Sequence, residues 1–183
     1  MNIVKRPKTF AALVVSISLP LFPVLAETPN IPVVQPSLRN FHKVNEFVYR
    51  GGQPAPEHWD VIAKMGVKTV IDLRREGEEE HSIAEEAKAV TAAGMKYVNV
   101  PMKGVVKPTD EQITKVLALL DSQEPVFVHC KRGADRTGTV IACYRIAHDR
   151  WGRDLALQEA KSLGMGTLQV GLKRYIMSYQ PAM

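Results

Sequence analysis

The run PVFVHC, from Pro125 to Cys130, passes directly into a loop that carries a glycine and then into a helical pattern. A short apolar run of this kind is typical of a strand that is buried on both faces inside a parallel sheet. Parallel neighbours need long crossover connections, which are usually helices. This one feature therefore favours a fold in which strands and helices alternate along the chain.

The rest of the chain alternates in that way. FVYR, KTVIDL and KYVNVP are strand patterns, GGQP after the first of them reads as a turn, and helical patterns separate the strands. The segment PTDEQITKVLALLDSQ has a capping box of Thr109 and Gln112, followed by apolar residues on one face. The charge run REGEEE reads as a solvated helix entry. The pattern predicts one α/β domain over residues 41–183, with a central, mostly parallel β-sheet flanked by helices.

The first 26 residues have the pattern of a secretory signal peptide. Lys5, Arg6 and Lys8 precede an apolar run that ends at Ala26 in a sequence suited to signal peptidase. Two prolines interrupt this run, which is short for a bilayer span, so a cleaved signal is favoured over a membrane anchor. We expect residues 1–26 to be removed and the mature chain to have no stable membrane insertion.

Removal of this leader changes the charge of the chain. The sequence has 24 Lys and Arg against 19 Asp and Glu, a net charge of +5. The leader holds three of the basic residues and none of the acidic ones, so 21 against 19 leaves +2. This small charge gives no reason to expect nucleic-acid binding. We expect a periplasmic or secreted protein that begins with an extended, proline-rich lead-in over residues 27–40.

The two cysteines, Cys130 and Cys143, are not expected to form a disulfide. Export makes a disulfide the first hypothesis to consider. However, Cys143 lies within the helix after the loop, more than one turn from Cys130, whereas a disulfide needs Cα atoms within about 7 Å. The spacing predicts a free thiol at Cys130 and a buried apolar position for Cys143.

The loop HCKRGADRTG places the thiol of Cys130 among groups that stabilise negative charge. It joins the carboxyl end of a buried strand to a helix N-terminus, where α/β sheets bind ligands and where helix amides favour anions. Gly133 and Ala134 let consecutive N–H groups converge on an oxyanion, and Arg136 can bind two phosphate oxygens. Such surroundings lower the pKa of a thiol, so the loop predicts a nucleophile within a phosphate-binding cradle. The predicted cradle consists of Lys131, Arg132, Gly133, Ala134, Asp135 and Arg136.

The same loop matches the His-Cys-x-x-Gly-x-x-Arg-Ser/Thr signature of the cysteine-dependent protein tyrosine and dual-specificity phosphatases. YRGGQP, VIDLR and CYRIAHDRWG also resemble the compact bacterial dual-specificity branch, some of whose members are exported. The resemblance implies a protein tyrosine phosphatase-like fold in which Cys130 attacks phosphorus and Arg136 binds the phosphoryl oxygens. It further implies that Thr137 helps to release the phosphocysteine and that His129 orients the loop. It implies no metal or other cofactor, and the remaining histidines show no ligand spacing.

The acid that protonates the leaving group is the incomplete part of the pattern. The family usually supplies an aspartic acid soon after the preceding strand, where this chain has Met102, Lys103 and Gly104. Asp110 follows on the same loop, but the dipole of the next helix favours its ionised form. Asp135 lies inside the cradle, as in myotubularin-type lipid phosphatases, and a bound phosphate would raise its pKa. Asp135 is slightly favoured as the acid, and an outward salt bridge is the alternative for its side chain.

These features predict a hydrolase that acts through a phosphocysteine intermediate. The favoured substrate is phosphotyrosine, with phosphoserine or phosphothreonine as further targets, on a phosphorylated protein or a small phosphoester. Because Lys131 and Arg132 add charge at the rim, a phosphoinositide or inositol phosphate is an alternative. A phosphate-binding module without turnover is a second alternative, since the usual aspartate is missing. Another thiolate enzyme with the same spacing, such as an arsenate reductase or a sulfurtransferase, is a third alternative. Arsenate reduction is disfavoured, because it would need a further accessible cysteine.

Overall fold

The computed structural model describes residues 38–78 and 82–181. The predicted signal peptide and most of the predicted lead-in lie outside these residues. The five strands of the sheet are β1 His42–Lys43, β2 Val48–Gly52, β3 Thr69–Asp72, β4 Lys96–Asn99 and β5 Val126–Cys130. The helices are a short 3₁₀ turn at Pro56–His58, α1 Trp59–Lys64, α2 Ile83–Ala92, α3 Asp110–Leu120, α4 Asp135–Ala147, α5 Arg153–Ser162 and α6 Val170–Ser178.

The sheet has the strand order β1-β2-β5-β3-β4. Only β1 is antiparallel to its neighbour; the other pairs are parallel. Strand β5 lies in the middle, and its successive side chains alternate between two apolar clusters, with Val126 and Val128 in one and Phe127 in the other. The prediction of an α/β domain with a mostly parallel sheet is confirmed.

Helix α4 runs from the carboxyl end of β5 through the centre of the domain. It packs against α3, α5 and α6, so that most of its residues are buried. Cys143 is among them, and both Cys130 and Cys143 are free, as the sequence predicted. Burial raises the pKa of Cys143, with a smaller contribution from Asp110. Among the described residues, no helix is long and apolar enough to cross a membrane.

The segment GGQP differs from its prediction as a turn. Gly51 and Gly52 continue strand β2 and pair with His129 and Cys130. A Cβ atom on Gly51 would lie 2.9 Å from the ring of Phe127, which packs against that face. The two glycines therefore allow β2 and its neighbours to approach closely just where β5 enters the loop.

Two residues before residue 41 also contact the domain. Leu38 is buried in the cluster that contains Phe127, and Asn40 donates hydrogen bonds to two backbone carbonyls elsewhere in the domain. The short strand β1, which the sequence analysis did not predict, follows directly. It has two residues, too few to show a periodic pattern.

Candidate active site

Cys130 is the last residue of β5 and is 2% exposed. The chain then turns through the four residues 131–134 before α4 begins at Asp135, two residues earlier than expected from the sequence. Gly133 has a φ of 68°, a conformation that glycine adopts without strain. This turn brings the backbone amides of Arg132 and Thr137 to the sulfur of Cys130. The sulfur thus lies at the N-terminus of α4, as the sequence predicted.

The surroundings of Cys130 favour its thiolate. Burial by itself would raise the pKa of the thiol. Hydrogen bonding from the Thr137 hydroxyl, the positive charge of Arg136 and the amides of Thr137 and Arg132 outweigh burial, so that the pKa is lowered. The Thr137 hydroxyl is buried and makes no other hydrogen bond within the described part of the chain. A lowered pKa is the property that a nucleophilic cysteine needs near neutral pH.

Arg136 is buried beside the sulfur and is held by the ends of two neighbouring strands. Its Nη1 donates to the carbonyl of Leu73 at 3.1 Å and to the carbonyl of Met102 at 3.2 Å. Leu73 directly follows β3, and Met102 lies in the loop after β4. Two segments that are distant from α4 in sequence therefore fix the guanidinium beside Cys130.

Glu78 is a site residue that sequence reasoning missed. It belongs to the charge run that was expected to be solvated, yet its Oε2 lies 2.7 Å from Nη1 of Arg136. Its Oε1 accepts a hydrogen bond from Arg75 at 2.9 Å, and its carbonyl accepts one from Lys131 at 3.0 Å. Burial opposes ionisation of Glu78, but Arg136 and Arg75 outweigh it and lower the pKa of this carboxyl. No local pattern in the sequence distinguishes Glu78 from its exposed neighbours.

His129 lies in a buried cluster of charged groups behind the loop. Its Nε2 is 2.9 Å from Oε1 of Glu86, and its Nδ1 is 3.9 Å from Oδ1 of Asp72. Arg74 pairs with both carboxylates. Burial lowers the pKa of His129, but the two carboxylates outweigh burial and raise it. The ring also stacks on Phe127 with a centroid distance of 5.4 Å. His129 is thus fixed in orientation directly before the nucleophile.

Asp72, Glu86 and His129 offer ligand atoms that lie within 4.8 Å of one another, a spacing that could hold a metal ion. However, the guanidinium of Arg74 already pairs with both carboxylates. A cation would have to displace the guanidinium from both partners. The cluster is therefore better explained as a support for the strand that carries the nucleophile.

Comparisons with known proteins agree with this geometry. A model of the family described as "DSP-PTPase phosphatase fused to NAD+ Kinase" matches residues 23–172, most of the chain. The chain belongs to this family. The expectation of a cysteine-dependent phosphatase family is confirmed.

Individual relatives differ in their substrates. The dual specificity protein phosphatase TpbA of Pseudomonas aeruginosa is 28% identical over 136 residues, which cover 73% of this chain and 58% of TpbA. The inositol diphosphatase DSP3 of Arabidopsis thaliana is 30% identical over 112 residues, which cover 58% of this chain and 53% of DSP3. The chain thus matches little more than half the length of either relative.

A solved structure shows the same fold. The catalytic core of the PP-IP phosphatase SIW14 from S. cerevisiae, in complex with citrate, superposes with a TM-score of 0.67 at 24% identity. The match covers 78% of this chain and 87% of that structure. The expectation of a protein tyrosine phosphatase-like fold is confirmed.

Within this DSP-PTPase domain, the two acid candidates have different surroundings. Asp135 Oδ1 accepts a hydrogen bond from the amide of Gly166 at 2.9 Å, and Oδ2 is paired with Arg132. Asp110 Oδ1 accepts a hydrogen bond from the Tyr175 hydroxyl at 2.7 Å, on the side of α3 that faces α6. Both oxygens of Asp135 are thus acceptors, an arrangement that an ionised carboxylate satisfies. This geometry corresponds to the salt-bridge alternative, and the acid role of either residue stays a prediction.

The side chains at the rim of the DSP-PTPase loop form ion pairs and hydrogen bonds within the domain. Lys131 and Arg132 are exposed, but Arg132 pairs with Asp135 and Lys131 donates to the backbone of Glu78. Ala134 is buried, so its contribution is the backbone alone. The predicted cradle residues therefore lie together, and the loop 75–78 adds a side to the site that the sequence did not indicate.

Proposed function

We propose that this protein is a phosphomonoesterase that hydrolyses phosphotyrosine through a phosphocysteine intermediate. The observation that carries the proposal is the pairing of a thiolate-stabilising helix N-terminus at Cys130 with the buried guanidinium of Arg136. Membership of the DSP-PTPase family supports the same chemistry. Phosphorylated proteins are then its partners, with phosphoserine and phosphothreonine as further targets.

In the first step, Sγ of Cys130 attacks phosphorus, the S–P bond forms and the bond to the leaving oxygen breaks. Arg136 binds phosphoryl oxygens, and the amides at the start of α4 stabilise the charge that develops on them. In the second step, water attacks phosphorus and the S–P bond breaks. The hydrogen bonding of the Thr137 hydroxyl stabilises the departing thiolate. Inorganic phosphate leaves and the free thiolate is restored.

The leaving group must gain a proton unless it is stable as an anion. Because Asp135 and Asp110 are both engaged in hydrogen bonds, we propose that preferred substrates have leaving groups that need little protonation. The aryl oxygen of phosphotyrosine meets this condition better than the alkyl oxygen of phosphoserine, because a phenol is much more acidic than an alcohol.

The same reasoning favours one other substrate class, the diphosphates of inositol. The leaving group of a diphosphate is itself a phosphate, which is more acidic than a phenol. Lys131 at the rim, and Lys103 on the exposed loop after β4, could meet further phosphates. The similarity to an inositol diphosphatase of Arabidopsis thaliana supports this second candidate.

A substrate panel with the purified protein distinguishes these proposals. We expect turnover of a phosphotyrosine peptide and of an aryl phosphate, and its loss in Cys130→Ser while phosphate binding survives. Faster turnover of a diphosphoinositol phosphate than of the peptide would favour the second candidate. Binding of orthophosphate without turnover of any substrate would indicate a phosphate-binding module instead.

We also propose that the protein is exported to the periplasm or beyond, on the basis of the pattern in residues 1–26. Mass spectrometry of the protein from cell fractions tests this proposal. The expected product lacks residues 1–26 and lies outside the cytoplasm. Retention of the complete chain in the cytoplasmic fraction would contradict it.

A further inference from the structure

Arg50 is a fully buried arginine behind the phosphate-binding loop. It lies in β2, is 1% exposed, and pairs with Val128 of β5. Partners on adjacent strands project from the same face, as do residues two apart on one strand. The side chain of Arg50 therefore leaves the sheet on the same face as that of Cys130.

The guanidinium of Arg50 binds the outer side of the loop. Its Nη2 donates to the carbonyl oxygen of Gly133 at 2.6 Å. The amide of Asn40 donates to the same oxygen at 2.9 Å and to the carbonyl of Leu163 at 2.8 Å. One loop carbonyl is thus held by two side chains, one charged and one neutral.

The orientation of this carbonyl matters for anion binding. A loop that binds an oxyanion through its N–H groups must direct its carbonyl oxygens elsewhere, since an oxygen turned inward would repel the ligand. The backbone of Gly133 packs so closely on Gly51 and Gly52 that a Cβ atom there would lie less than 3.0 Å from them. Arg50 and Asn40 complete this contact by binding the carbonyl that points towards them.

Among the described residues, no carboxylate forms an ion pair with Arg50. Its Nε and Nη1 have no hydrogen-bond partner among residues 38–78 and 82–181. Glu159 of α5 acts on it electrostatically, but both Glu159 oxygens accept hydrogen bonds from Arg145. The pKa of Arg50 is lowered to about 10, chiefly by burial and to a smaller extent by Arg145, whereas Glu159 and Cys130 act in the opposite direction. Burial, and to a smaller extent the positive charge of Arg50, also lowers the pKa of His42. A buried cation without a paired carboxylate is costly, and a nearby anion such as the Cys130 thiolate reduces this cost.

We propose that Arg50 is a positioning residue of the active site. It holds the Gly133 carbonyl away from the anion site and places a buried positive charge behind the Cys130 thiolate. The proposal rests on the phosphatase function proposed above, but its test measures the thiol and phosphate binding and needs no turnover. Failure of the two proposals can therefore be distinguished.

The experiment measures alkylation of Cys130 by iodoacetamide as a function of pH, with and without orthophosphate. Cys130→Ser supplies the background from Cys143. The variants are Arg50→Met, which removes charge and hydrogen bond, and Arg50→Lys, which keeps the charge. Asn40→Ala removes the neutral hydrogen bond to the same carbonyl. Thermal unfolding of each variant identifies those that remain folded.

We expect Arg50→Met to raise the midpoint of alkylation by about one pH unit and to weaken protection by orthophosphate about tenfold. In Arg50→Lys the midpoint of alkylation should lie closer to that of the wild type, while protection by orthophosphate stays weakened. Asn40→Ala should also weaken protection by orthophosphate, but it should shift the midpoint of alkylation less than Arg50→Met does. A folded Arg50→Met with wild-type midpoint and protection would overturn the proposal. If Arg50→Met does not fold, wild-type protection in Arg50→Lys would overturn it in the same way.

Discussion

The carboxylate of Glu78 lies 2.7 Å from Nη1 of Arg136, so the guanidinium proposed to bind phosphate already holds an anion of its own chain. Arg136 also donates to the carbonyls of Leu73 and Met102, and its position therefore does not depend on Glu78 alone. A phosphate that enters the site must share Arg136 with a like charge at close range. At such distances the repulsion between two unit charges is a sizeable fraction of a binding free energy.

We predict that Glu78→Gln tightens the binding of orthophosphate and orthovanadate. The substitution removes the competing charge and keeps a side chain of similar size. The expected gain is about three- to tenfold in the inhibition constant, or about 1 kcal/mol. Competitive inhibition of aryl phosphate hydrolysis measures it. Glu76→Gln is the control, because that carboxylate accepts the amide of Ile83 and is not paired with Arg136. Weaker inhibition of Glu78→Gln would show that Glu78 chiefly orients the arginine.

Thr137 should set the pH at which the nucleophile becomes active. Burial raises the pKa of Cys130, and the Thr137 hydroxyl is the first of the groups that lower it. In Thr137→Val the thiol pKa should therefore rise, and the acidic limb of the profile of kcat/KM against pH should move to higher pH. The loss should be largest below the wild-type midpoint and should diminish as pH rises. Breakdown of the phosphocysteine should also slow, because the departing thiolate loses a hydrogen bond.

Thr139→Val is the matched control for Thr137→Val. The Thr139 hydroxyl is buried in the same helix but donates to the backbone carbonyl of Asp135 at 2.8 Å. Its removal should leave the acidic limb in place. Equal displacement of the limb in both variants would attribute the effect to a general change in α4 and not to the sulfur.

The sequence predicts the loop, its nucleophile and the helix after it, because the residues that determine these features are close together along the chain. Cys130, Gly133 and Arg136 lie within seven residues, and their roles follow from a strand that ends where a helix begins. The capping box at Thr109 and Gln112 is equally local, and the structure confirms both of its hydrogen bonds. Such features depend on neighbours along the chain, which the sequence displays directly.

The parts that the sequence did not indicate are contacts between distant segments. Arg136 meets Leu73 and Glu78, and Arg50 meets Gly133, across separations of more than fifty residues. A glutamate in a charged run or an arginine in a short strand has no periodicity that points to such a partner. The glycines of GGQP were interpreted as a turn for the same reason, since the groups that approach them come from elsewhere in the chain.

Asp135→Asn tests whether this residue supplies a proton. The structure shows its oxygens accepting from Gly166 and paired with Arg132, so we predict a structural role. The expected loss in kcat is then similar for a nitrophenyl phosphate and for an alkyl phosphate. A general acid would behave differently, because its removal slows poor leaving groups much more than good ones. A loss confined to the alkyl phosphate would instead identify Asp135 as the acid.

We predict that Gly133→Ala distorts the phosphate-binding loop and lowers turnover. Gly133 has a φ of 68°, and a Cβ atom there would meet the backbone of Gly51 and Gly52 at less than 3.0 Å. The backbone must move to relieve this contact, which should reduce kcat/KM by at least about a hundredfold. Gly66→Ala is the control, because Gly66 has a φ of 91° with no atom within 4 Å of the added Cβ. Gly66→Ala should cost about 1 kcal/mol of stability and leave turnover unchanged.

The cluster behind the loop predicts a pH-dependent contribution to stability. Burial lowers the pKa of His129, but Asp72 and Glu86 outweigh it and raise the pKa above the ordinary value of 6.5. A histidine whose pKa rises on folding stabilises the protein fully below its unfolded pKa, and this contribution is lost as pH rises through the folded value. Removing one partner of a buried ion pair costs about 3 kcal/mol or more. His129→Gln should therefore lower the melting temperature more at pH 6 than at pH 9.

Thermal unfolding between pH 5.5 and 9 checks this prediction, with the pH range chosen about the reference pKa of histidine, roughly 6.5. His148→Gln is the control, because His148 is half exposed and pairs with Asp149 outside the buried cluster. A difference between the wild type and His129→Gln that stays constant over this range would mean that folding does not shift the pKa of His129. Its stacking on Phe127, and not its charge, would then be what supports the strand that ends at Cys130.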